Sequence, residues 1–223
     1  YGLALCHVAA EDYEKAAEVL DRIPASDRTG DLAAVPFVLA DCLVRTAPAK
    51  AEDALQDNML REKLGKAAEL LDTFVASNPK APEAADALLK LGYCQKRLGI
   101  QLAPGNERND ALNKARATFE KVGREYAQSP VVGSAALERA QVQALQGDKG
   151  GAVNSLAAFA NDPLAKSPVA PLAFVARATL LREQNQAANA VGVMQDARNR
   201  FEGALNGDAA RRDWVYLLRY HHA

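Results

Sequence analysis

The sequence predicts an all-α fold assembled as a stack of helix hairpins, and three observations carry that expectation. Apolar residues recur at helical spacing along nearly the whole chain, while alternation of β-branched residues over more than a few positions is absent. Hydrophobic residues make up 49% of the chain but aromatics only 6%, so the apolar excess is alanine, the best helix former and one that lets helices approach closely. Proline, glycine and Asn or Asp punctuate the chain at intervals suited to helix ends.

Taken in order, residues 1–10 and 13–23 carry helical spacing on either side of the polar Glu11-Asp12 and read as a hairpin. Pro24 and the polar residues 25–31 break the pattern before a helix at 32–46. Its Pro36 belongs in a first turn, which moves the expected start to about Val35. Residues 51–77 read as one long helix carrying Leu55, Met59, Leu64, Ala67, Leu71, Phe74 and Val75, ended by Asn78-Pro79. A helix from Pro82 to Gly99 follows, with Leu88, Leu91 and Leu98 along one face. Residues 100–108, with Pro104-Gly105, read as a loop before a helix at 109–128. Ser129-Pro130 separates that helix from 131–146, and Gly147-Asp148 turns the chain into 151–160. Asn161-Asp162-Pro163 and Ser167-Pro168 part the next units, with Ser167 expected as N-cap and Pro168 as the first helical residue. Helices at 172–183 and 187–205 form a hairpin about Asn185-Gln186, and Gly207 precedes a last helix, giving about eleven in all.

The hairpins are versions of one unit. A small residue in each first helix (Ala4, Ala40, Gly92, Ala140, Ala178) is followed two positions later by Cys6, Cys42, Cys94, Val142 and Leu180. Each second helix carries an alanine (Ala16, Ala67, Ala115, Ala152, Ala190), with Leu20, Leu71, Phe119, Leu156 and Met194 four positions on. Small residue to alanine is 12 positions in three units (4 to 16, 140 to 152, 178 to 190), and grows to 27 and 23 in the second and third (40 to 67, 92 to 115). From each alanine to the next small residue the distance stays at 24, 25, 25 and 26 (16 to 40, 67 to 92, 115 to 140, 152 to 178). The two longer units therefore carry insertions between their helices. Small residues at such points let two helix backbones approach where they cross. Because one hairpin cannot bury both of its faces, the expected architecture is an α-solenoid. Its approximate repeats are 1–30, 31–80, 81–130, 131–166 and 167–206, with the start of a sixth at 207–223.

The segment LGYC at 91–94, the Gly147-Asp148 turn, the second-helix alanines and the terminating Pro79 and Pro130 resemble the tetratricopeptide repeat, whose period is about 34 residues. The segments NPKAPEAADALLKLGYC and REYAQSPVVGSAALERA resemble its longer-linker bacterial subtype, found in the Tol-Pal coordinator and outer-membrane assembly lipoproteins. The resemblance implies a right-handed solenoid of five hairpins plus one helix, acting as a non-catalytic scaffold for a protein or peptide partner. It also implies a bacterial setting with the cell envelope as compartment. Tyr1 and Ala223 fall inside helical patterns, so the chain reads as part of a longer array. An enzyme using such an array as an accessory domain is the alternative.

Composition and spacing narrow the chemistry. Lys plus Arg (27) nearly balances Asp plus Glu (28), so a nucleic-acid partner, which needs a concentrated basic field, is not expected. No apolar run approaches the ~18 residues of a membrane span. Cys6, Cys42 and Cys94 occupy one repeat position that holds Val142 and Leu180 elsewhere, so they read as small hydrophobes and not as a metal or redox site. His221-His222 lacks ligands of matching spacing and reads as a solvated or interhelical pair; no cofactor, metal or catalytic constellation is expected.

Interaction candidates are the polar residues of the first helices, which the resemblance places along the groove: Asp41, Arg45, Tyr93, Lys96, Arg97, Gln141, Arg182 and Arg219. Tyr93, Lys96 and Arg97 lie within about one turn and suit a carboxylate or an extended peptide. An ordinary solvated helix face is the competing reading. The helix at 51–77 should overhang the stack, with Leu55 and Met59 needing cover from another subunit or from more of the chain.

Overall fold

The computed structural model describes residues 1–222. Its α-helices are α1 (Gly2–Ala9), α2 (Tyr13–Asp21), α3 (Val35–Thr46), α4 (Ala54–Ser77), α5 (Ala84–Gln101), α6 (Asn106–Glu125), α7 (Val132–Leu145), α8 (Lys149–Ala157), α9 (Ala170–Glu183), α10 (Ala187–Asn206) and α11 (Asp213–His222). No strand occurs among the described residues. The chain divides into two compact units, Tyr1–Tyr126 with α1–α6 and Ala127–Ala223 with α7–α11. Inside each unit every helix packs on the next, and the first helices of successive hairpins also touch: α3 on α5, α7 on α9 and α9 on α11.

The repeat positions are the core. The four first-helix alanines and Gly92 are buried, as are all five second-helix alanines. So are Leu20, Leu71, Phe119, Leu156 and Met194 one turn on. Two crossings are especially tight. A methyl group on Gly92 would lie 2.4 Å from the Phe119 ring, and one on Gly133 would lie 1.9 Å from the Ser167 hydroxyl. Bulk at either point is excluded by an adjacent element and not by the helix itself.

The three units without insertions share one turn. Glu11 (φ 59°), Gly147 (φ 95°) and Asn185 (φ 59°) each adopt the left-handed conformation between first and second helix. The following amides, of Asp12, Asp148 and Gln186, bond back to His7, Gln143 and Leu181 carbonyls at 2.9, 3.1 and 2.9 Å. This is the paired-bond helix ending that satisfies orphan carbonyls. Asp12 and Asp148 then cap the second helix, accepting from the Lys15 and Gly151 amides. A shared 12-residue spacing thus corresponds to a shared turn. The left-handed residue is glycine in one unit and Asn in another, both tolerant of positive φ; in the first it is Glu, a costlier choice.

Several local expectations are corrected. The insertion expected as a loop at 100–108 is mostly helix: α5 runs on to Gln101 and α6 starts at Asn106, so the third hairpin is longer, not looser. The 24-residue α4 absorbs part of the other insertion in the same way. Ser167 is not an N-cap and Pro168 does not open a helix. α9 begins at Ala170 with Pro171 in its first turn, while the Ser167 hydroxyl accepts from the Val169 amide at 3.4 Å and stabilises the turn ahead of the helix. Cys6 is exposed, whereas Cys42 and Cys94 are fully buried. Cys42 lies between α2 and α4, but no helix among the described residues covers the Cys6 face of α1. Leu3 of α1 is likewise 62% exposed, where its counterpart Leu39 is 1%.

Candidate functional site

A charged and aromatic stripe runs across α3 and α5 of the first unit. Asp41 and Arg45 are one turn apart on α3, and the Arg45 Nε donates to Asp41 at 2.8 Å. A second Arg45 nitrogen reaches the Tyr13 hydroxyl at 3.3 Å, and the guanidinium sits 4.8 Å from the Tyr13 ring centre. On α5 the pair repeats: Lys90 bonds Asp86 at 2.5 Å and lies 3.3 Å from the other oxygen of Asp41, bridging the two helices. The Lys90 ammonium is also 5.2 Å from the Phe37 ring. Spacings of i and i+4 on facing helices create this ladder, and the rings beneath it restrict where the cations can move.

Of the residues expected to form one cluster on α5, the structure separates the most prominent. Tyr93 turns its ring edge-on to Phe119, with centres 6.0 Å apart, and Lys96 lies over Tyr93 at 5.5 Å. Arg97 points elsewhere and donates to the Pro48 carbonyl, fastening the α3–α4 connection. In the second unit, Arg182 is held by His221 of α11, through its carbonyl and through Nδ1 at 3.2 Å. Arg219 pairs with Glu202 of α10 at 2.7 Å. Gln141 is half-buried on α7. The expected interhelical setting of His221 and His222 is found, the latter with its Nδ1 3.1 Å from Arg198.

Sequence reasoning missed Tyr13, Phe37, Asp86 and Lys90. Tyr13 opens a second helix and so fell outside a search confined to first helices. The signal for the others was present: Asp86 and Lys90 repeat the i, i+4 acid–base spacing of Asp41 and Arg45 one hairpin later.

Beside this stripe, the first two turns of α4 stand clear of the stack. Leu55 is 68% and Met59 39% exposed. They wall an open cleft of about 670 Å³ with Pro48, Ala49 and Gln56. A second cleft of about 610 Å³ lies between the turn at 25–33 and the later half of α4, with Phe74 and Leu70 as its apolar part; its Lys66 is held by Asp21 at 2.8 Å.

No cluster of three potential metal ligands occurs among the described residues. Burial pushes the Cys42 thiol up to about 11 and the Cys94 thiol up to about 12, which holds both protonated and unreactive near neutrality. A thiol reagent at pH 7.5 should therefore label Cys6 in the native protein, and Cys42 and Cys94 only after unfolding. Mass spectrometry of labelled peptides reads the result; native labelling of Cys94 at a rate comparable to Cys6 would contradict the packing described.

Comparison with known proteins bears on the fold. Residues 86–129 match one tetratricopeptide-repeat model and residues 61–100 another, so the matches together span residues 61–129. No curated protein sequence matches the chain. Among solved structures, a thermophilic TPR protein of Thermus thermophilus is similar over 97% of this chain and 95% of its own, with a TM-score of 0.59 and 20% identity. MamA of MSR-1 matches over 91% of this chain and 95% of its own, with a TM-score of 0.58 and 17% identity. A Podosopora anserina protein of nearly identical TPR-like repeats covers 89% of this chain and 92% of its own, with a TM-score of 0.57 and 16% identity. These likenesses are to the fold. None of the three is a Tol-Pal coordinator or an outer-membrane assembly lipoprotein, and the models describe the repeat in general, so the finer subtype resemblance gains no support.

Proposed function

We propose that the chain is a non-catalytic scaffold that binds a protein partner across the α3–α5 stripe, with Leu55 and Met59 of α4 as an apolar second contact that another subunit or the partner covers. Tetratricopeptide repeats are protein-interaction modules, and that general role supports the reading. The observation that carries it is the ladder of Arg45, Asp41, Lys90 and Asp86 against Tyr13 and Phe37. Binding groups on rigid helices, held in place by their own partners, offer a partner a fixed pattern at low entropic cost. Two cations (Arg45, Lys90) meet two carboxylates (Asp41, Asp86) in the ladder. Arg45 is half-exposed, but Lys90 and Asp41 are only 20% and 19% exposed, so reversing both cations strains the ladder as well as the partner contact, and the fold of the variant is read beside its binding.

The test compares partner recovery by the wild type, by Arg45→Glu with Lys90→Glu, and by Lys121→Glu on α6. The double variant should lose at least ~10-fold in recovery of whichever proteins the wild type retains, as expected when desolvated charges face like charges. Lys121→Glu should retain them, with circular dichroism unchanged throughout. Equal recovery by all three would remove the stripe from the binding surface.

A further inference from the structure

Away from the stripe, the later half of α4 turns one face to a trough. Lys66, Glu69, Leu70, Thr73, Phe74 and Ser77 follow one another at steps of one, three or four residues and line one side of the cleft of about 610 Å³, a volume in the range of ligand sites. The turn at 25–33 and Pro36 of α3 form the other side. Phe74 is buried with the Phe37 ring 5.7 Å away, which gives the trough a fixed apolar floor. The lining on α4 spans eleven positions, from 66 to 77, or about 16 Å at a rise of about 1.5 Å per residue. Extended chain covers that distance in about five residues.

The two walls carry opposite charges that nothing answers. Along the helices of this chain an arginine is regularly taken by an acid four residues away, as Arg45 is by Asp41, Arg61 by Asp57 and Arg200 by Asp196. Glu69 departs from that pattern, because the cation one turn before it, Lys66, turns instead to both oxygens of Asp21 at 2.8 Å. On the facing wall Arg28 is anchored by its Nε, which donates to the Ile23 carbonyl at 3.0 Å and leaves the two terminal nitrogens for another acceptor. Among the described residues neither Glu69 nor Arg28 has an ion-pair partner. The corresponding place in the second unit serves as a comparison within the molecule. There the turn at 164–168 faces the later half of α10 across only about 220 Å³, and both cations are taken, Lys166 by Asp162 and Arg211 by Asp208. An open trough with unpaired charges therefore does not simply follow from the repeat.

We propose that this trough is a second docking site, separate from the stripe, for an extended peptide segment of a partner in which an apolar side chain stands between one acidic and one basic residue. The apolar side chain rests on Phe74 and Leu70, the acid pairs with the terminal nitrogens of Arg28, and the base pairs with Glu69. A segment lacking either charge would cover Arg28 or Glu69 without replacing its water, which sets the specificity. The length of the trough selects a chain over a free amino acid, which would occupy only part of it.

Peptide selection tests the site directly. A library of random seven-residue peptides displayed on phage is first depleted on Thr73→Trp, whose ring fills the trough and leaves the stripe intact, and is then panned on the wild type. The enriched peptides should share an apolar residue between an acidic and a basic one. In fluorescence anisotropy, a labelled enriched peptide should bind Glu69→Arg at least ~10-fold more weakly, because a like charge now faces its basic residue. Changing that basic residue of the peptide to Glu should recover the loss, a result that mere damage to the surface does not produce. Thr73 and Glu69 are both exposed, and circular dichroism should match the wild type for both variants. No peptide enriched after depletion, enriched peptides without the charge pattern, or equal binding by the wild type and Glu69→Arg would each overturn the site. The trough shares no residue with the stripe, so either can fail while the other holds.

Discussion

Gly92→Ala destabilises the first unit by about 1–2 kcal/mol, although alanine is the better helix former. Overpacking a well-filled core costs about 1–3 kcal/mol, and the gain from removing a helical glycine returns at most ~1 kcal/mol. The new methyl would stand 2.4–2.8 Å from three atoms of the Phe119 ring. That ring cannot retreat: Phe119 is buried and edge-on to Tyr93. Cutting the ring back with Phe119→Leu should make the same Gly92→Ala change nearly neutral, a coupling of at least ~1 kcal/mol in a double-mutant cycle followed by denaturant unfolding. A neutral or stabilising Gly92→Ala in the wild-type background would show that the crossing is looser than described.

Gly133→Ala has the larger effect, about 2–3 kcal/mol on the second unit. Here the obstacle is not a ring that can tilt. The added methyl would lie 1.9 Å from the Ser167 hydroxyl and 2.6 Å from its Cβ. The hydroxyl can rotate, but the Cβ moves only with the backbone. That backbone is fixed by the Ser167 amide bonding the Leu164 carbonyl at 3.0 Å and by the hydroxyl accepting from Val169. Ser167→Gly should restore most of the loss. Trp214, the single tryptophan of the chain, sits in this unit, so its unfolding transition should shift for Gly133→Ala and move little for Gly92→Ala. Equal shifts for both would mean that the two units unfold as one.

The core of this fold was legible because its signal is repeated. One small residue in a first helix says little, but five with matched alanines in the second helices specify where the backbones cross, and every one of them is buried. The turns were legible as positions, though not as a shared conformation, since Glu11, Gly147 and Asn185 have nothing in common as side chains. The helix ends at 101 and 106 were misread because Pro104-Gly105 suggested a broad loop, whereas four residues suffice to reverse the chain. Cys6 was misassigned for a related reason. Repeat logic gives each position the environment of its counterparts, whereas among the described residues no helix covers the face of α1 that holds Cys6.

The candidate interaction face was legible only in outline. Asp41 and Arg45 are where the pattern put them, but the cluster of Tyr93, Lys96 and Arg97 assumed that neighbours on one helical turn point the same way. Tyr93 and Arg97, four residues apart, lie only about 40° apart around the helix axis, so it is the reach of the two side chains, one to Phe119 and the other to Pro48, that separates them. The contact between Lys90 and Asp41 spans two hairpins and depends on how the first helices are set side by side, information that spacing along one helix does not contain.

Site-specific photo-crosslinking tests the central claim most directly. A photoreactive phenylalanine analogue at position 13, where the native tyrosine ring lies under Arg45, reports contacts of the stripe; the same analogue at position 119, buried in the first unit, is the control. The account predicts one recurrent partner protein joined covalently from position 13 and none from position 119. A partner captured by the protein yet never joined from position 13 would contradict it.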